Sequence, residues 1–312
     1  MMQPVVPARR SLGARLKREL RSHWMLYLMV TPAVLGFLVF RYFPIYGIVM
    51  AFQRFDVVDG FWGSQFVGLD NFRAFIGSVF FGRLMRNTFL LGFYNLIFGF
   101  PAPIILAVLL NEVRSSKFKR TVQTISYLPH FIPTVVLVGV MYELFGGYGI
   151  VNGLLESLGL ETQRFFTDNR WFRTLYVGSG IWQSIGWNSI IFVGALSAID
   201  PSLYDAATID GANRWQRIRF ISLPSITPIL STMFILQCGK VMNIGFAKVL
   251  LMYGPATYET ADILSTYAYR RGLIGADYSF GAAVDLFSNV MCLALVLLSN
   301  YVSRKMGEDG VL

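Results

Sequence analysis

Long apolar runs, separated by polar or basic stretches, dominate the sequence. A helix needs roughly 20 residues to cross a hydrocarbon core about 30 Å thick, and six of the runs are long enough. They predict transmembrane helices over residues 24–50, 87–110, 122–144, 175–198, 223–250 and 281–303. The pattern therefore predicts an all-α integral membrane protein with six spans.

Four prolines lie inside the second and third predicted spans: Pro101, Pro103, Pro129 and Pro133. Proline lacks a backbone N–H and its ring clashes with the preceding turn, so each should kink its helix. A membrane bundle tolerates such irregularities because neighbouring helices satisfy the freed backbone groups. The second and third spans are therefore predicted to be irregular.

The composition supports a membrane protein and argues against a nucleic-acid partner. Of the 312 residues, 54% are hydrophobic and only 14% are charged, which is too apolar for a soluble protein of this length. The net charge of +9 would suit nucleic acid, but the lysines and arginines form short clusters between the apolar runs. That distribution is typical of membrane topology signals.

The distribution of lysine and arginine predicts which ends of the spans face the cytoplasm. With six alternating spans, one side carries 15 basic residues and the other carries nine. The richer side comprises Arg9, Arg10, Arg15, Lys17, Arg18, Arg21, Arg114, Lys117, Lys119, Arg120, Arg214, Arg217, Arg219, Arg304 and Lys305. Because cytoplasmic connections are enriched in lysine and arginine, both termini are predicted to be cytoplasmic. The first span is then a retained anchor, since its apolar run is too long for a signal peptide.

The chain divides into four predicted regions. Residues 1–23 form a basic segment in which Leu12, Leu16 and Leu20 recur every four residues. That spacing suits an amphipathic helix on the anionic cytoplasmic leaflet, and a disordered basic tail is an equal alternative. The other regions are the first span with an external loop at 24–86, the membrane core at 87–303 and a cytoplasmic tail at 304–312.

Cysteine and histidine give no sign of a disulfide framework or a metal site. Cys238 and Cys292 both lie inside apolar runs, where cysteine behaves as a small hydrophobic residue. His23 and His130 are far apart in the chain, so no cluster has the spacing of metal ligands. The chain also lacks the Gly-x4-Gly-Lys-Ser/Thr loop that cradles nucleotide phosphates. Neither a metal nor another cofactor is expected on this chain.

The connection between the fourth and fifth predicted spans has the most informative pattern. Asp200 and Pro201 are suited to open a helix, and Gly211 is suited to end it. A second short helix is predicted after the glycine, with Trp215 among several arginines, and Pro224 marks the entry to the next span. A helix-turn-helix with exposed apolar and basic groups suits insertion into a groove of a partner protein.

This connection resembles the EAA loop of ABC importer permeases. The match consists of Asp205-Ala206-Ala207, Gly211 after three further residues, and Ile221-Ser222-Leu223-Pro224. Asp205 stands where the family usually has glutamate, which keeps the charge and shortens the side chain by one methylene. The resemblance implies that residues 204–224 dock on an ATPase subunit and couple it to transport. The residues implied are Asp205, Ala206, Ala207, Asp210, Gly211, Ile221, Leu223 and Pro224.

Further segments resemble carbohydrate-uptake permeases, in particular the polysaccharide and oligosaccharide branch. They include residues 24–32, Gly68-Leu69-Asp70-Asn71-Phe72, Ser126-Tyr127-Leu128-Pro129 and Tyr253-Gly254-Pro255. The resemblance, which extends to maltose-type and alginate-type permeases, implies the type I ABC importer permease fold in a bacterial cytoplasmic (inner) membrane. It also implies a second permease subunit, two ATP-binding subunits that hold ATP and Mg²⁺, and an external substrate-binding protein. This chain itself is then not an enzyme.

Polar side chains within the spans are candidate substrate contacts, because charged and amide groups are costly at membrane depth. Gln183 and Trp187 are four residues apart and share a helix face, a pairing suited to a sugar ring, although they could equally join two helices. Gln237, Lys240 and Asn243 recur every three residues and predict a polar stripe on the fifth span. The resemblance to maltose-type permeases implies substrate contacts on these two spans.

Lys240 has two alternative roles. It either lines the substrate pathway or forms an ion pair with Asp285 of the last span, and Asn289, on the face of Asp285, could serve in either role. A lone ammonium in a low-dielectric setting favours a carboxylate over neutral hydroxyls. A pathway role therefore predicts an acidic saccharide such as alginate, whereas the ion pair would leave a neutral sugar equally suitable.

The sequence thus predicts the permease subunit of an ATP-driven importer of an oligosaccharide or polysaccharide. Two other classes are alternatives: a secondary sugar transporter driven by an ion gradient, and a membrane-embedded enzyme. A secondary transporter would more often show internal repeats and paired interrupted helices, and no convincing repeat is present. An enzyme would need clustered acid, base or metal groups at one depth, and the ionisable residues in the spans are few and scattered.

Overall fold

The computed structural model describes residues 21–305 of the chain. The predicted amphipathic leucines, Leu12, Leu16 and Leu20, lie outside the described residues. Helices make up most of residues 21–305, together with a two-stranded antiparallel hairpin of Gln53–Arg54 and Gln65–Phe66. Within this range four helices are long and apolar enough to cross a membrane, and the number rises to six when each of two bent pairs counts as one span. The predicted six-span architecture is confirmed.

The first and last helices pack against each other. The first begins as Trp24–Phe37, continues as a π-helical turn over Leu38–Tyr42 and ends as a 3₁₀ helix over Phe43–Phe52. No residue of Trp24–Phe37 is buried, and the 3₁₀ part makes the contact with the last helix, Tyr278–Lys305. The first helix is therefore peripheral, with most of its apolar surface left for lipid or for another subunit.

The second span is a single long helix with a π-helical turn in its middle. It runs from Phe81–Tyr94 through the π-helical residues Asn95–Gly99 to Pro101–Glu112. Pro101 has no N–H to offer to the preceding turn, so the hydrogen-bond pattern changes in the residues just before it. The proline therefore alters the local helix type without breaking the span.

The third span is broken where two prolines follow each other closely. In place of the predicted helix over residues 122–144, the chain forms Ser116–Tyr127, a 3₁₀ turn at Leu128–Phe131 and a second helix at Thr134–Phe145. Pro133 and the residue before it are extended, because proline disfavours helical backbone in its predecessor. We name residues 128–133 the third-span break.

The fourth span, Asn169–Ser197, is a 29-residue helix that we name the central helix. It begins after Asp168, whose side chain accepts a hydrogen bond from the backbone N–H of Arg170. Both the second span and the third-span break pack along it. A Cβ atom on Gly186 would lie 2.1 Å from the carbonyl oxygen of Ser126, so only glycine permits this close approach.

The fifth span is interrupted, and the prediction of one helix over residues 223–250 was wrong. Thr227–Cys238 and Phe246–Met252 are helical, and residues 239–245 between them, which we name the fifth-span break, are not. The backbone of this break packs directly on the second span: a Cβ atom on Gly92 would lie 1.9 Å from the carbonyl oxygen of Val241. A contact between distant parts of the chain thus overrides the local helical preference.

Two bends set the direction of the connection between the central helix and the fifth span. The helix Pro201–Ile209 is turned by 69° from the central helix, and Arg214–Ser225 is turned by 66° from Thr227–Cys238. The connection therefore runs across the ends of the spans rather than along them, as expected for a loop at a membrane surface.

The connections at the other ends of the spans carry short helices. They are Gly60–Gly63, Asp70–Ile76, Ile150–Ser157, Pro255–Thr257, Tyr258–Ala261, Leu264–Ala268 and the π-helical Tyr269–Ile274. A buried apolar cluster ties two of them, Asp70–Ile76 and Leu264–Ala268, to the last helix, with Phe75 packed edge-on against Phe280 at 6.1 Å between ring centroids. These connections therefore form an ordered layer over one end of the bundle.

Candidate functional site

The connection between the central helix and the fifth span, residues 200–224, consists of two capped helices; we call it the surface loop. Asp200 caps the first helix, because its side chain accepts a hydrogen bond of 2.9 Å from the backbone N–H of Ser202. This hydrogen bond also lowers the pKa of the Asp200 carboxyl, since it stabilises the charged form. Asn213 and Gln216 form a reciprocal capping box at the start of the second helix.

Gly211 ends the first helix in a conformation that other residues rarely adopt. Its φ angle is +78°, and the N–H of Ala212 donates to the carbonyl oxygen of Ala207 at 2.8 Å. A Cβ atom on Gly211 would meet nothing within 4 Å, so a substitution would strain the backbone without a clash. Gly211 therefore sets the angle between the two helices of the surface loop.

Two side-chain contacts hold the halves of the surface loop together. Arg217 donates to the Thr208 hydroxyl at 3.2 Å, which joins the second helix to the first. The hydroxyls of Tyr204 and Ser222 are 2.9 Å apart, and Ser222 is buried against the spans. These contacts hold the two helices of the surface loop in a fixed arrangement.

The surface loop also exposes a large apolar area. The side chains of Ile209 and Trp215 are 86% and 79% exposed, and Leu203 and Phe220 are exposed as well. Exposed apolar residues in this number are typical of a surface that contacts another protein or a membrane. Of the predicted coupling residues, the exposed ones are Asp205, Ala206, Asp210, Gly211 and Pro224, and the half-buried ones are Ala207, Ile221 and Leu223.

The third-span break lies against the middle of the central helix. The side-chain amide of Gln183 donates a hydrogen bond of 2.8 Å to the carbonyl oxygen of Ile132, a group that the break leaves without a helical partner. Gln183 thereby joins two helices, which is one of the two roles that its position in the sequence allowed.

An aromatic stack follows one turn further along the central helix. The imidazole of His130 lies parallel to the indole of Trp187, with 4.5 Å between ring centroids and 3° between ring planes. Phe131 packs edge-on against the same indole. His130 was not predicted as a site residue, although its position between Pro129 and Pro133 indicates a fixed break in the helix.

Trp187 forms part of the wall of a cavity of about 650 Å³ at mid-depth of the bundle. Gln237 and Lys240 from the fifth span also line this cavity, as do Asn188 of the central helix and Phe100 of the second span. Aromatic faces, two amides and an ammonium group around one cavity match the apolar and polar faces of a sugar. Three of the five predicted pathway residues therefore come together here, and Gln183 and Asn243 do not line the cavity.

Lys240 and Asn243 lie in the fifth-span break rather than on a helix face. The N–H of Lys240 donates to the carbonyl oxygen of Gln237, and the N–H of Asn243 donates to that of Lys240, each at 3.0 Å. The predicted helical stripe of these three residues was therefore wrong, because the helix ends at Cys238. The side chains of Lys240 and Asn243 are both exposed.

The predicted alternative of an ion pair between Lys240 and Asp285 is not found. Among residues 21–305, Lys240 makes no ion pair. Asp285 lines a different cavity, of about 460 Å³, together with Met50 and Tyr278. Asn289 is exposed one turn further along the last helix. The Lys240 ammonium is therefore uncompensated within the described part of the chain.

A second lysine, which was not predicted as a site residue, is buried beside the central helix. The ammonium of Lys248 donates to the carbonyl oxygen of Tyr176 at 2.8 Å and lies 4.8 Å from the centroid of its ring. This contact ties Phe246–Met252 to the central helix. A local pattern gives no signal for it, because the two partners are 72 residues apart.

An ionic cluster holds together the connections opposite the surface loop. Asp262 is fully buried; it accepts hydrogen bonds of 2.8 Å and 3.3 Å from Arg270, and Arg83 lies 3.5 Å away. Burial lowers the pKa of the Arg270 guanidinium, but the hydrogen bonds and charge of Asp262 outweigh burial, and the pKa is raised. Glu259 pairs with Arg86 at 2.7 Å. The buried carboxylate is therefore well paired, as its burial requires.

Known proteins resemble this chain over most of its length. Residues 99–308 match the family described as "Binding-protein-dependent transport system inner membrane component". The chain is 40% identical to Protein LplB of Bacillus subtilis (strain 168), over 99% of this chain and 96% of that protein. It is also 40% identical to the polygalacturonan/rhamnogalacturonan transport system permease protein YteP of the same organism, over 95% of this chain and 93% of that protein.

The fold is also similar to that of a solved structure. The match is to a chain in the crystal structure of a bacterial alginate ABC transporter in complex with alginate pentasaccharide-bound periplasmic protein. The TM-score is 0.86 at 40% sequence identity, and the match covers 95% of this chain and 100% of that chain. The six-span architecture and the surface loop therefore belong to a shared fold.

Proposed function

Because the chain belongs to the family of binding-protein-dependent transport system inner membrane components, we propose that it passes an acidic oligosaccharide through the cavity lined by Trp187, Gln237 and Lys240. The chain is a permease subunit of a carbohydrate ABC importer and is not itself an enzyme. It works with an external binding protein and a second permease subunit. Family membership excludes the secondary transporter, even though paired interrupted helices are present in the third and fifth spans.

The observation that carries the proposal is the uncompensated ammonium of Lys240 at the cavity. A cation at membrane depth without a counterion is costly, and a passing carboxylate lowers that cost far more than a neutral hydroxyl does. The names of two relatives support the same substrate class, because polygalacturonan and alginate are both polymers of uronates. A uronate oligosaccharide therefore fits the cavity better than a neutral sugar.

Trp187 supplies the apolar half of the recognition. Its indole face suits stacking on a pyranose ring, and His130 and Phe131 hold the indole in place. Gln237 and Asn188 offer amides to the hydroxyls of the sugar. The cation then distinguishes a uronate from a neutral sugar, and the aromatic face distinguishes it from an inorganic anion.

The surface loop docks in a groove of an ATPase subunit, with Asp205 and Gly211 at its functional centre. The exposed side chains of Ile209 and Trp215 support this assignment, as does the glycine turn between two capped helices. ATP and Mg²⁺ are held by the partner ATPase subunits. Because the surface loop is internally cross-linked, closure of those subunits moves the central helix and the fifth span together.

Both termini and the surface loop lie on the cytoplasmic side of a bacterial inner membrane in this proposal. The excess of lysine and arginine on that side, 15 residues against nine, supports the orientation. The ionic cluster around Asp262 then faces the external binding protein.

Uptake by the complete transporter in proteoliposomes, with saturating binding protein, tests the role of Lys240. The variant Lys240→Met keeps an apolar stem and removes the charge, so we expect the KM for a uronate oligosaccharide to rise about tenfold or more. The matched control is Lys305→Met, since Lys305 is exposed at the end of the last helix. Uptake by Lys240→Met equal to that of the control would show that the substrate does not meet this ammonium.

A further inference from the structure

A further cavity, of about 530 Å³, lies between the second span and the end of the central helix nearest Asn169. We call it the outer cavity. Its lining includes Tyr94, Phe98, Arg170, Arg173, Thr174 and Ile181. Two aromatic side chains and two guanidinium groups thus surround one space. The same combination of an aromatic face and a cation occurs around the cavity at mid-depth, where Trp187 and Lys240 provide it.

The two guanidinium groups lack a counterion in the described chain. Among residues 21–305, neither Arg170 nor Arg173 forms an ion pair. Arg173 donates to the side-chain oxygen of Asn87 at 3.2 Å, and its Nε atom is buried without a hydrogen-bond partner. The nearby carboxylate of Glu259 pairs with Arg86 at 2.7 Å and lies 3.9 Å from Arg83.

Other arginines on the same side of the bundle lie close to carboxylates of the same chain. Arg73 pairs with Asp70 at 3.1 Å, and Arg271 lies 3.5 Å from Asp277. Their charge is balanced within the chain, so an entering anion gains less beside them than beside Arg170 and Arg173.

Residues that line the two cavities meet between the second span and the central helix. Gly99 lines the cavity at mid-depth and Ile181 lines the outer one, and a Cβ atom on Gly99 would lie 3.9 Å from the Ile181 side chain. At a rise of about 1.5 Å per residue, Arg173 and Trp187 are about 21 Å apart along the helix axis. That separation is longer than one sugar ring, so only a chain of several sugars reaches from one cavity to the other.

We propose that Arg170 and Arg173 form an outer subsite that binds the carboxylates of a uronate oligosaccharide on its way to Lys240. The inference rests on the proposed acidic substrate and adds a second recognition point for it. A guanidinium matches a carboxylate with two parallel hydrogen bonds, and Tyr94 and Phe98 offer faces for the sugar rings. Because the two subsites are far apart, the subsite favours an oligomer over a single uronate.

Kinetics of the complete transporter in proteoliposomes, with saturating binding protein, test this subsite. We expect the double variant of Arg170→Gln and Arg173→Gln to raise the KM for a uronate oligosaccharide about tenfold with kcat nearly unchanged. Arg170→Gln alone should raise the KM about threefold. That single variant keeps the test valid if the double variant fails to fold, since Arg170 is exposed.

The matched control is Arg73→Gln, which removes an arginine that is exposed on the same side and already paired. Its KM should equal that of the unmodified transporter. If the double variant has the KM of this control while the unmodified transporter imports the uronate oligosaccharide, the outer subsite is wrong and the proposed function stands. If the unmodified transporter does not import the uronate oligosaccharide at all, the proposed acidic substrate fails, and the subsite fails with it.

The lipid composition of the vesicles tests whether the two arginines bind the saccharide or an anionic lipid headgroup. The KM measurements are repeated in vesicles made only of phosphatidylcholine. A raised KM of the double variant in both kinds of vesicle supports the saccharide subsite. An effect confined to vesicles that contain phosphatidylglycerol would assign the two arginines to lipid and overturn the subsite.

Discussion

The third-span break and the fifth-span break differ in how their polar groups are satisfied. At the third-span break, Gln183 hydrogen-bonds the carbonyl oxygen of Ile132, and His130 stacks on the indole of the central helix. At the fifth-span break, the backbone forms turns and Ser288 donates to the carbonyl oxygen of Met242 at 3.3 Å, but the side chains of Lys240 and Asn243 make no hydrogen bond among the described residues. One break is closed by protein contacts, and the other leaves polar groups free for a ligand.

This difference shows that an interrupted helix can serve two purposes in one bundle. A polar group of a ligand gains most from a protein group that has no hydrogen-bond partner within the protein. The third-span break, which we call the closed break, therefore serves as a fixed wall. The fifth-span break, which we call the open break, supplies the polar contacts to a ligand. The surface loop continues into the fifth span and not into the third. Under the proposed function, the fifth-span break is therefore the one that moves with the ATPase.

The largest fall in uptake is expected when the surface loop is changed so that it no longer couples the fifth-span break to the proposed ATPase. The variant Gly211→Leu places a bulky residue at a φ of +78°, which costs about 1–2 kcal/mol and favours a different angle between the helices of the surface loop. We expect uptake to fall at least tenfold while the complex still assembles, as measured by transport and stimulated ATPase activity in proteoliposomes. Gly211→Asn is the matched control, because asparagine tolerates this conformation. Coupled transport at the normal rate in Gly211→Leu would contradict the assignment of the surface loop.

A smaller effect, on stability, is expected at the contact that closes the third-span break. In Gly186→Ala the new methyl group would lie 2.1 Å from the carbonyl oxygen of Ser126, and the helices must separate to admit it. We expect a loss of about 1–3 kcal/mol, seen as a lower unfolding temperature of the purified complex. Gly194→Ala, on the same helix with nothing within 4 Å, should leave the unfolding temperature unchanged. Equal unfolding temperatures for the two variants would show that the break is not closed by this contact.

Gln183→Met tests whether Gln183 belongs to the closed wall or to the pathway. The substitution leaves the carbonyl oxygen of Ile132 without its donor, so we expect a loss of about 1–2 kcal/mol in stability with little change in KM. Thermal unfolding and uptake kinetics of the same preparation separate the two roles. A raised KM at unchanged stability would move Gln183 from the wall to the substrate contacts.

The smallest effect is expected at the aromatic stack. Loss of the ring in His130→Ala frees the indole of Trp187 and removes a contact worth about 0.5–1.5 kcal/mol. The KM for a uronate oligosaccharide should rise only a few-fold, in uptake assays at constant pH. His130→Phe restores a flat ring and should restore most of the affinity; if it behaves like alanine, stacking is not what His130 contributes.

The closed break and the surface loop could be predicted because their signals are local. Pro129 and Pro133 predict a kink in the third span from the chemistry of proline alone, and the structure shows a complete break there. Asp200 and Gly211 likewise predict the start and the end of a helix, and both do so in the structure. In each case the deciding interaction involves residues within a few positions of each other.

The open break could not be predicted, because its cause lies elsewhere in the chain. Residues 239–245 contain no proline, and Gly239 and Gly245 at their two ends weaken a helix without fixing where it stops. The contact of Val241 with Gly92 of the second span and the contact of Lys248 with Tyr176 depend on the assembled bundle. The spacing of Gln237, Lys240 and Asn243 predicts a helical stripe, and it gives no sign that the helix ends at Cys238.

Burial of Asp262 makes the shape of the connections around it less sensitive to salt. Mobile ions screen exposed charges over a Debye length of about 10 Å at 0.1 M salt, which weakens pairs such as Arg73 with Asp70. The carboxylate of Asp262 is fully buried, and its contacts with Arg270 are screened much less. In the proposed orientation this layer faces the external medium, and it should therefore keep one conformation as the salt concentration outside the cell changes.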